Sequence, residues 1–176
     1  SDVYKRQILE RMCVYQHERN ELVMFAIGDR ICYPMHGVGT VQSIEERTVL
    51  NETTSYYTLK FVSNNLTAMV PVDMAEKVGL RPIITPKECE EVLNYMIESP
   101  IKESDNWNQR YRENLDKLRK GGIYDVADVV VCLKKRNEEK GLSSGERKMF
   151  SLAKQVLVTE LAIATNRDMN EFGDII

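Results

Sequence analysis

Residues 81–97, RPIITPKECEEVLNYMI, divide the chain into two kinds of sequence. Thr85-Pro86-Lys87-Glu88 is a helix start: a threonine N-cap, a proline at the first helical position, and a glutamate placed to complete a capping box. Cys89, Val92, Leu93, Met96 and Ile97 then recur at i, i+3, i+4, i+7 and i+8, one apolar face of a helix. Ser99-Pro100 stops it. Before this stretch the apolar period is two; after it the period is helical. The chain therefore reads as α+β, a small Tudor- or SH3-like β-barrel followed by a compact α-helical bundle.

Working backwards, residues 24–80 carry short β-branched and aromatic runs separated by turn residues. Arg30 to Tyr33, Gly39 to Ile44, Tyr56 to Val62 and Leu66 to Val70 are expected strands, with Ser63-Asn64-Asn65 as a hairpin turn. Pro34 and Pro71 lack a backbone donor and mark strand ends or edges. Gly37 and Gly39 flank one valine and lead into no helix, so they suit a tight loop rather than a phosphate cradle. Four basic residues (Arg30, Arg47, Lys60, Lys77) face six acidic ones (Asp29, Glu45, Glu46, Glu52, Asp73, Glu76). A net negative module is a poor DNA binder and a better protein-docking one, with an exposed strand edge as its natural mode.

Working forwards, residues 81–166 supply four helices, and the tail 167–176 is polar and expected to fray. The second helix lies within SDNWNQRYRENLDKLRKGG, residues 104–122, with Ser104 or Asp105 as its cap and Gly121-Gly122 as its stop. It holds the chain's one tryptophan, Trp107, in its first turn. Arg110, Arg112, Lys117, Arg119 and Lys120 follow, opposed by Glu113 and Asp116, so the helix is net positive in a chain of net charge −3. Trp107, Tyr111, Asn114 and Leu118 share a stripe, which suits a core anchor; the first-turn position also lets the indole overhang the bundle. Asn106 reads either as a cap or as a reader of base edges. The third helix is expected from Tyr124 to Lys140, and Ser143-Ser144-Gly145-Glu146 is a second capping box opening the last helix.

The bulk numbers narrow the function classes. Hydrophobic content of 43% and charged content of 29% describe an ordinary globular protein. No apolar run reaches the roughly 20 residues of a membrane span, so a cytoplasmic protein without membrane contact is expected. Cys13, Cys32, Cys89 and Cys132 are scattered, and His17 and His36 lack metal-ligand spacing or nucleophile partners. No cofactor, no metal and no enzymatic activity are expected. SDVYKRQ at 1–7 matches the in-frame translation of a transposon-adapter end, so residues 1–23 are expected to be a non-native or disordered leader, with Met24 as the start.

Residues 27–41, IGDRICYPMHGVGTV, resemble the opening of the polymerase-interacting domain of the CarD/CdnL family of bacterial transcription regulators. NWNQRYRENLDKL and GLSSGERKMFSLAKQVLVTELA continue the resemblance through about 140 residues. The resemblance implies a bacterial, non-enzymatic factor that docks on the RNA polymerase β subunit through Arg47, Val49 and Met69. It implies sequence-independent contact with promoter DNA at the upstream fork of the melted bubble, which stabilises the open complex. There Trp107 is the implied minor-groove wedge, with Asn106 beside it and Arg110, Arg112 and Arg147 as the DNA-contacting residues. A monomer is expected. The competing expectation is a protein–protein adaptor with Trp107 in its core and no direct DNA contact.

Overall fold

The computed structural model describes residues 25–99 and 104–173; the expected leader, residues 1–23, lies outside them. Five antiparallel strands form one sheet: β1 (Arg30–Tyr33), β2 (Gly37–Val49), β3 (Glu52–Phe61), β4 (Thr67–Pro71) and β5 (Arg81–Pro82). Their spatial order is β4-β3-β2-β1-β5. The α+β organisation is as the sequence implies, but the expected barrel is an open sheet. β4 and β5 are its two edges and do not pair with each other.

Alternation sets the inner face. Ile31, Val41, Tyr57, Leu59, Phe61 and Val70 are buried together with Phe25, Ala75 and Leu80. A bulge between Val41 and Ser43 adds a residue to β2, so that Ser43 then pairs with Thr58 and Ile44 with Tyr57. Past Glu45 and Tyr56 the β2–β3 ribbon runs beyond the core, and residues 45–53 are all exposed. It turns at Leu50 and Asn51, both at positive φ, the pattern of a two-residue I′ hairpin. Asn51 suits that conformation. Leu50 does not, and its side chain is 93% exposed.

Four helices follow, α1 (Pro86–Glu98), α2 (Trp107–Lys120), α3 (Ile123–Glu139) and α4 (Ser144–Thr165), with a short α5 (Asn170–Gly173). Both expected capping boxes form, Thr85 with Glu88 and Ser143 with Glu146. The cap of α2 is Asn106 rather than Ser104 or Asp105, and Gly121 ends that helix in the left-handed region. A Cβ at Gly121 would lie 2.6 Å from Cγ of Pro34, so the sheet and the helices meet there at glycine distance. The tail expected to fray folds back through residue 173. Asn166 caps α4, Arg167 pairs with Glu171 at 2.6 Å, and Phe172 is fully buried in the helical core.

Sheet and helices are joined by a buried ion pair. Glu160 of α4 is 0% exposed and accepts from Arg81 of β5 through both oxygens, at 2.6 and 2.8 Å. Arg81 Nε donates to the Gly121 carbonyl at 2.9 Å, and the Ile84 amide donates to Glu160 at 3.1 Å. Burial and the Glu160 charge, partly offset by Arg81, push the neighbouring Cys32 thiol up to about 12, so it stays protonated at neutral pH. No helix among the described residues is long and apolar enough to cross a membrane.

Removing Arg81 leaves Glu160 as an unpaired buried charge. Arg81→Met should lower the unfolding free energy by about 3 kcal/mol, and adding Glu160→Leu should recover most of it. Denaturant unfolding of the full chain measures both; equal losses in the single and double variants would contradict this account.

Candidate nucleic-acid interface

The site is built where the start of α2 meets the start of α4. Asn106 accepts from the Gln109 amide at 3.2 Å and begins α2. Trp107 is therefore the first helical residue. Asn114 and Leu118, seven and eleven positions on, fall within about 20° of it around the axis and are buried. The same stripe thus points inward along most of α2 and overhangs the bundle at its start. Trp107 is 46% exposed. It is not the core anchor that its stripe alone suggests.

The indole is held on two sides. Its ring stacks on Tyr111, with centroids 5.3 Å apart and planes inclined by 24°. Its Nε1–H donates to Ser143 Oγ at 3.2 Å. Ser143 caps α4, so the tryptophan of one helix rests on the first turn of another.

Arg110 corrects an expectation. It is 1% exposed, and its guanidinium packs against Glu146, with Nε and Nη2 each 2.8 Å from Oε1. Its Nη1 donates to the Ser104 carbonyl at 2.9 Å, which pins the segment entering α2. It is not available as a phosphate clamp. Glu146 also accepts from the Ser143 amide and hydroxyl at 3.0 and 2.9 Å. Burial pushes the Glu146 carboxyl up, but the Ser143 amide, the Arg110 guanidinium and the Ser143 hydroxyl together bring it below its ordinary value.

The remaining basic residues divide by position. Lys117 pairs with Asp128 at 2.9 Å, while Arg119 faces Asp116 at 3.7 Å on the surface. Arg112 is exposed but sits about 140° around α2 from Trp107. Arg147 is exposed one turn after Ser143 and donates from Nε to the Leu142 carbonyl at 3.2 Å, which places it on the face of α4 that holds the indole. Asn106 is exposed, with its amide oxygen engaged in the cap.

A second surface lies on the sheet. Thr58 pairs with both Ser43 and Met69, and Arg47 and Val49 follow Ser43 on alternate positions. Arg47, Val49 and Met69 therefore share the outer face, opposite the core. All three are exposed, and Arg47 lies 3.6 Å from Glu45. Ser143 and Glu146 had a complete local explanation in the sequence as a capping box, so nothing flagged their partners 36 residues upstream. Tyr111 was legible as the neighbour of Trp107 on the stripe.

Both parts of the chain match known domain families. Residues 25–84 match the CarD-like/TRCF RID domain and residues 91–176 match the CarD C-terminal domain. The chain is 33% identical over 153 residues to "Putative transcription factor YdeB" of Bacillus subtilis (strain 168), covering 85% of this chain and all of that one. It is also similar to two solved N-terminal domains from Myxococcus xanthus. The 72-residue CarD domain is 29% identical, with 34% of this chain and 79% of that one covered and a TM-score of 0.30. The CdnL N-terminal structure is 36% identical, with 38% and 93% covered and a TM-score of 0.31. The chain belongs to the CarD/CdnL family, whose members are transcription regulators.

Trp107→Ala should leave the fold within about 1 kcal/mol of wild type, because the indole is half in solvent. Arg110→Met strands a buried carboxylate and should cost about 3 kcal/mol. Chemical denaturation separates them, and a Trp107→Ala protein that loses the bundle would contradict this geometry. The depressed Glu146 value also has a signed consequence. Its contribution is complete above the ordinary value of 4.5 and is lost as pH falls through the depressed folded value. Glu146→Gln should therefore flatten part of the acid limb of stability below the ordinary carboxylate value of 4.5, measured as unfolding free energy against pH.

Proposed function

We propose that this protein is a non-enzymatic transcription factor that joins RNA polymerase to promoter DNA. The sheet docks on the polymerase β subunit through the face bearing Arg47, Val49 and Met69, with Met69 supplying an adaptable apolar contact. The helical part, residues 81–166, then brings Trp107 to the upstream fork of the melted promoter. There the indole wedges from the minor-groove side, stacks on an exposed base and resists reannealing, which stabilises the open complex. Arg147, one turn along α4 from Ser143, and Arg112 hold phosphates without reading sequence, while Asn106 starts the helix that carries the wedge. The protein acts as a cytoplasmic monomer, and its promoter contact depends on polymerase.

The observation that carries this reading is the exposure of Trp107, held against Tyr111 with its outer part in solvent. An adaptor that uses Trp107 as a core anchor would bury it. With Arg110 withdrawn, Arg112 and Arg147 are the two named phosphate contacts, so binding to DNA alone should be weak and salt-dependent. Docking on polymerase supplies the missing local concentration.

Open-complex lifetime on a promoter, with the protein bound to polymerase, is the direct test. Trp107→Ala should bind polymerase normally and shorten that lifetime by about ten- to hundredfold. Full retention of the lifetime with normal binding would sink the wedge. In a parallel experiment, Arg47→Glu with Met69→Asp should weaken polymerase binding while melting as wild type does; unchanged affinity would remove the proposed docking face.

A further inference from the structure

The geometry points to Ser143 as the positioning residue that sets the angle of the Trp107 indole, an inference that rests on reading Trp107 as the wedge. An N-cap serine needs only to accept from the amide three residues on, and Ser143 does so from Glu146 at 3.3 Å. A serine hydroxyl has one donor and two acceptor sites. The donor goes to Glu146 Oε2 at 2.9 Å, and the second acceptor site takes the Trp107 Nε1–H at 3.2 Å. Every hydrogen-bonding capacity of the hydroxyl is used, so its orientation is determined, and the bond to the indole lies beyond what capping requires.

The hydroxyl is anchored from behind. Its acceptor, Glu146, is buried and gripped by the buried Arg110 guanidinium at 2.8 Å. The same turn of α4 also supports the ring that backs the indole. A Cβ at Gly145 would lie 3.3 Å from Cε2 of Tyr111, closer than nine in ten real Cβ contacts, so Tyr111 rests directly on that turn. Stacking on Tyr111 sets the plane of the indole, and the bond to Ser143 sets its rotation within that plane. A tryptophan at an exposed helix start would otherwise sample several rotamers. Fixing it beforehand removes an ordering cost that the complex would have to meet on binding.

The discriminating substitutions are Ser143→Gly and Ser143→Thr. Glycine is well tolerated at an N-cap, so it removes the indole acceptor and spares the helix. Threonine restores a hydroxyl. Because the chain has one tryptophan, fluorescence excited at wavelengths that tyrosine does not absorb reads this indole alone. Ser143→Gly should raise acrylamide quenching, lower the anisotropy of the indole, and shorten open-complex lifetime by about three- to tenfold. Ser143→Thr should return all three towards wild type. Wild-type quenching and anisotropy in the glycine variant, a wild-type open-complex lifetime, or no rescue by threonine would each overturn the assignment. The fluorescence arm needs no polymerase, so it distinguishes loss of the Ser143 contact from failure of the wedge itself, which Trp107→Ala reports.

Discussion

Glu160 is the constraint on which the rest of the molecule depends. A carboxylate with no solvent exposure near the C-terminal end of α4 is costly to bury unless it is paired and hydrogen-bonded. The partner it finds, Arg81, comes from a two-residue strand at the edge of the sheet. β5 has too few residues to be placed by its own pairing with β1, so the ion pair helps to position it. Arg81 then reaches Gly121 at the end of α2, while the backbone of Ile84 donates to Glu160 just before α1 begins. Four elements are thereby held by one buried charge pair. Pairs of this kind add little net stability over apolar packing, and they are strict about register.

Glu146 repeats the arrangement at the other end of α4. The two glutamates are fourteen residues apart, which is about 21 Å along the helix and within about 40° around it. Each points into the protein and each is met by an arginine from another element, Arg81 for Glu160 and Arg110 for Glu146. α4 is thus a rod with the sheet fastened near one end and the tryptophan of α2 fastened at the other. The relative placement of the outer sheet face and the indole follows from that rod, because each attachment centres on a buried glutamate and neither is a flexible linker.

How much of this was legible depended on range. Capping boxes are signals within four residues, and both the Thr85–Glu88 and Ser143–Glu146 boxes formed as read. The alternation that buries Tyr57, Leu59 and Phe61 is equally local. Closure of the sheet is not, since it depends on whether β4 and β5 meet, and the bulge after Val41 bends β2 without an obvious mark at Gln42. The outer half of the β2–β3 ribbon is not legible, because its apex carries leucine where a turn residue is usual. The burial of Arg110 is hidden from the sequence for a sharper reason. It sits about 60° from the Trp107 stripe, on the flank facing α4, but its buried partner lies 36 residues away in sequence and already had a local role.

That burial changes the electrostatics that composition suggests. α2 carries five basic side chains, yet Arg110 is spent on Glu146 inside the bundle and Lys117 on Asp128 at its edge. Arg112, Arg119 and Lys120 remain exposed on the helix, with Asp116 beside Arg119. The positive field at the candidate interface is therefore smaller than the count implies, and the charge removed from it maintains the geometry of the indole. Each phosphate contact forgone lowers both affinity and its salt dependence, whereas an aromatic face held in one orientation loses less on binding. On the proposed reading, a protein built this way gives up binding strength on free duplex for accuracy at one position. Such an exchange is useful only where another contact, here the proposed one between the sheet and polymerase, has already brought the two together.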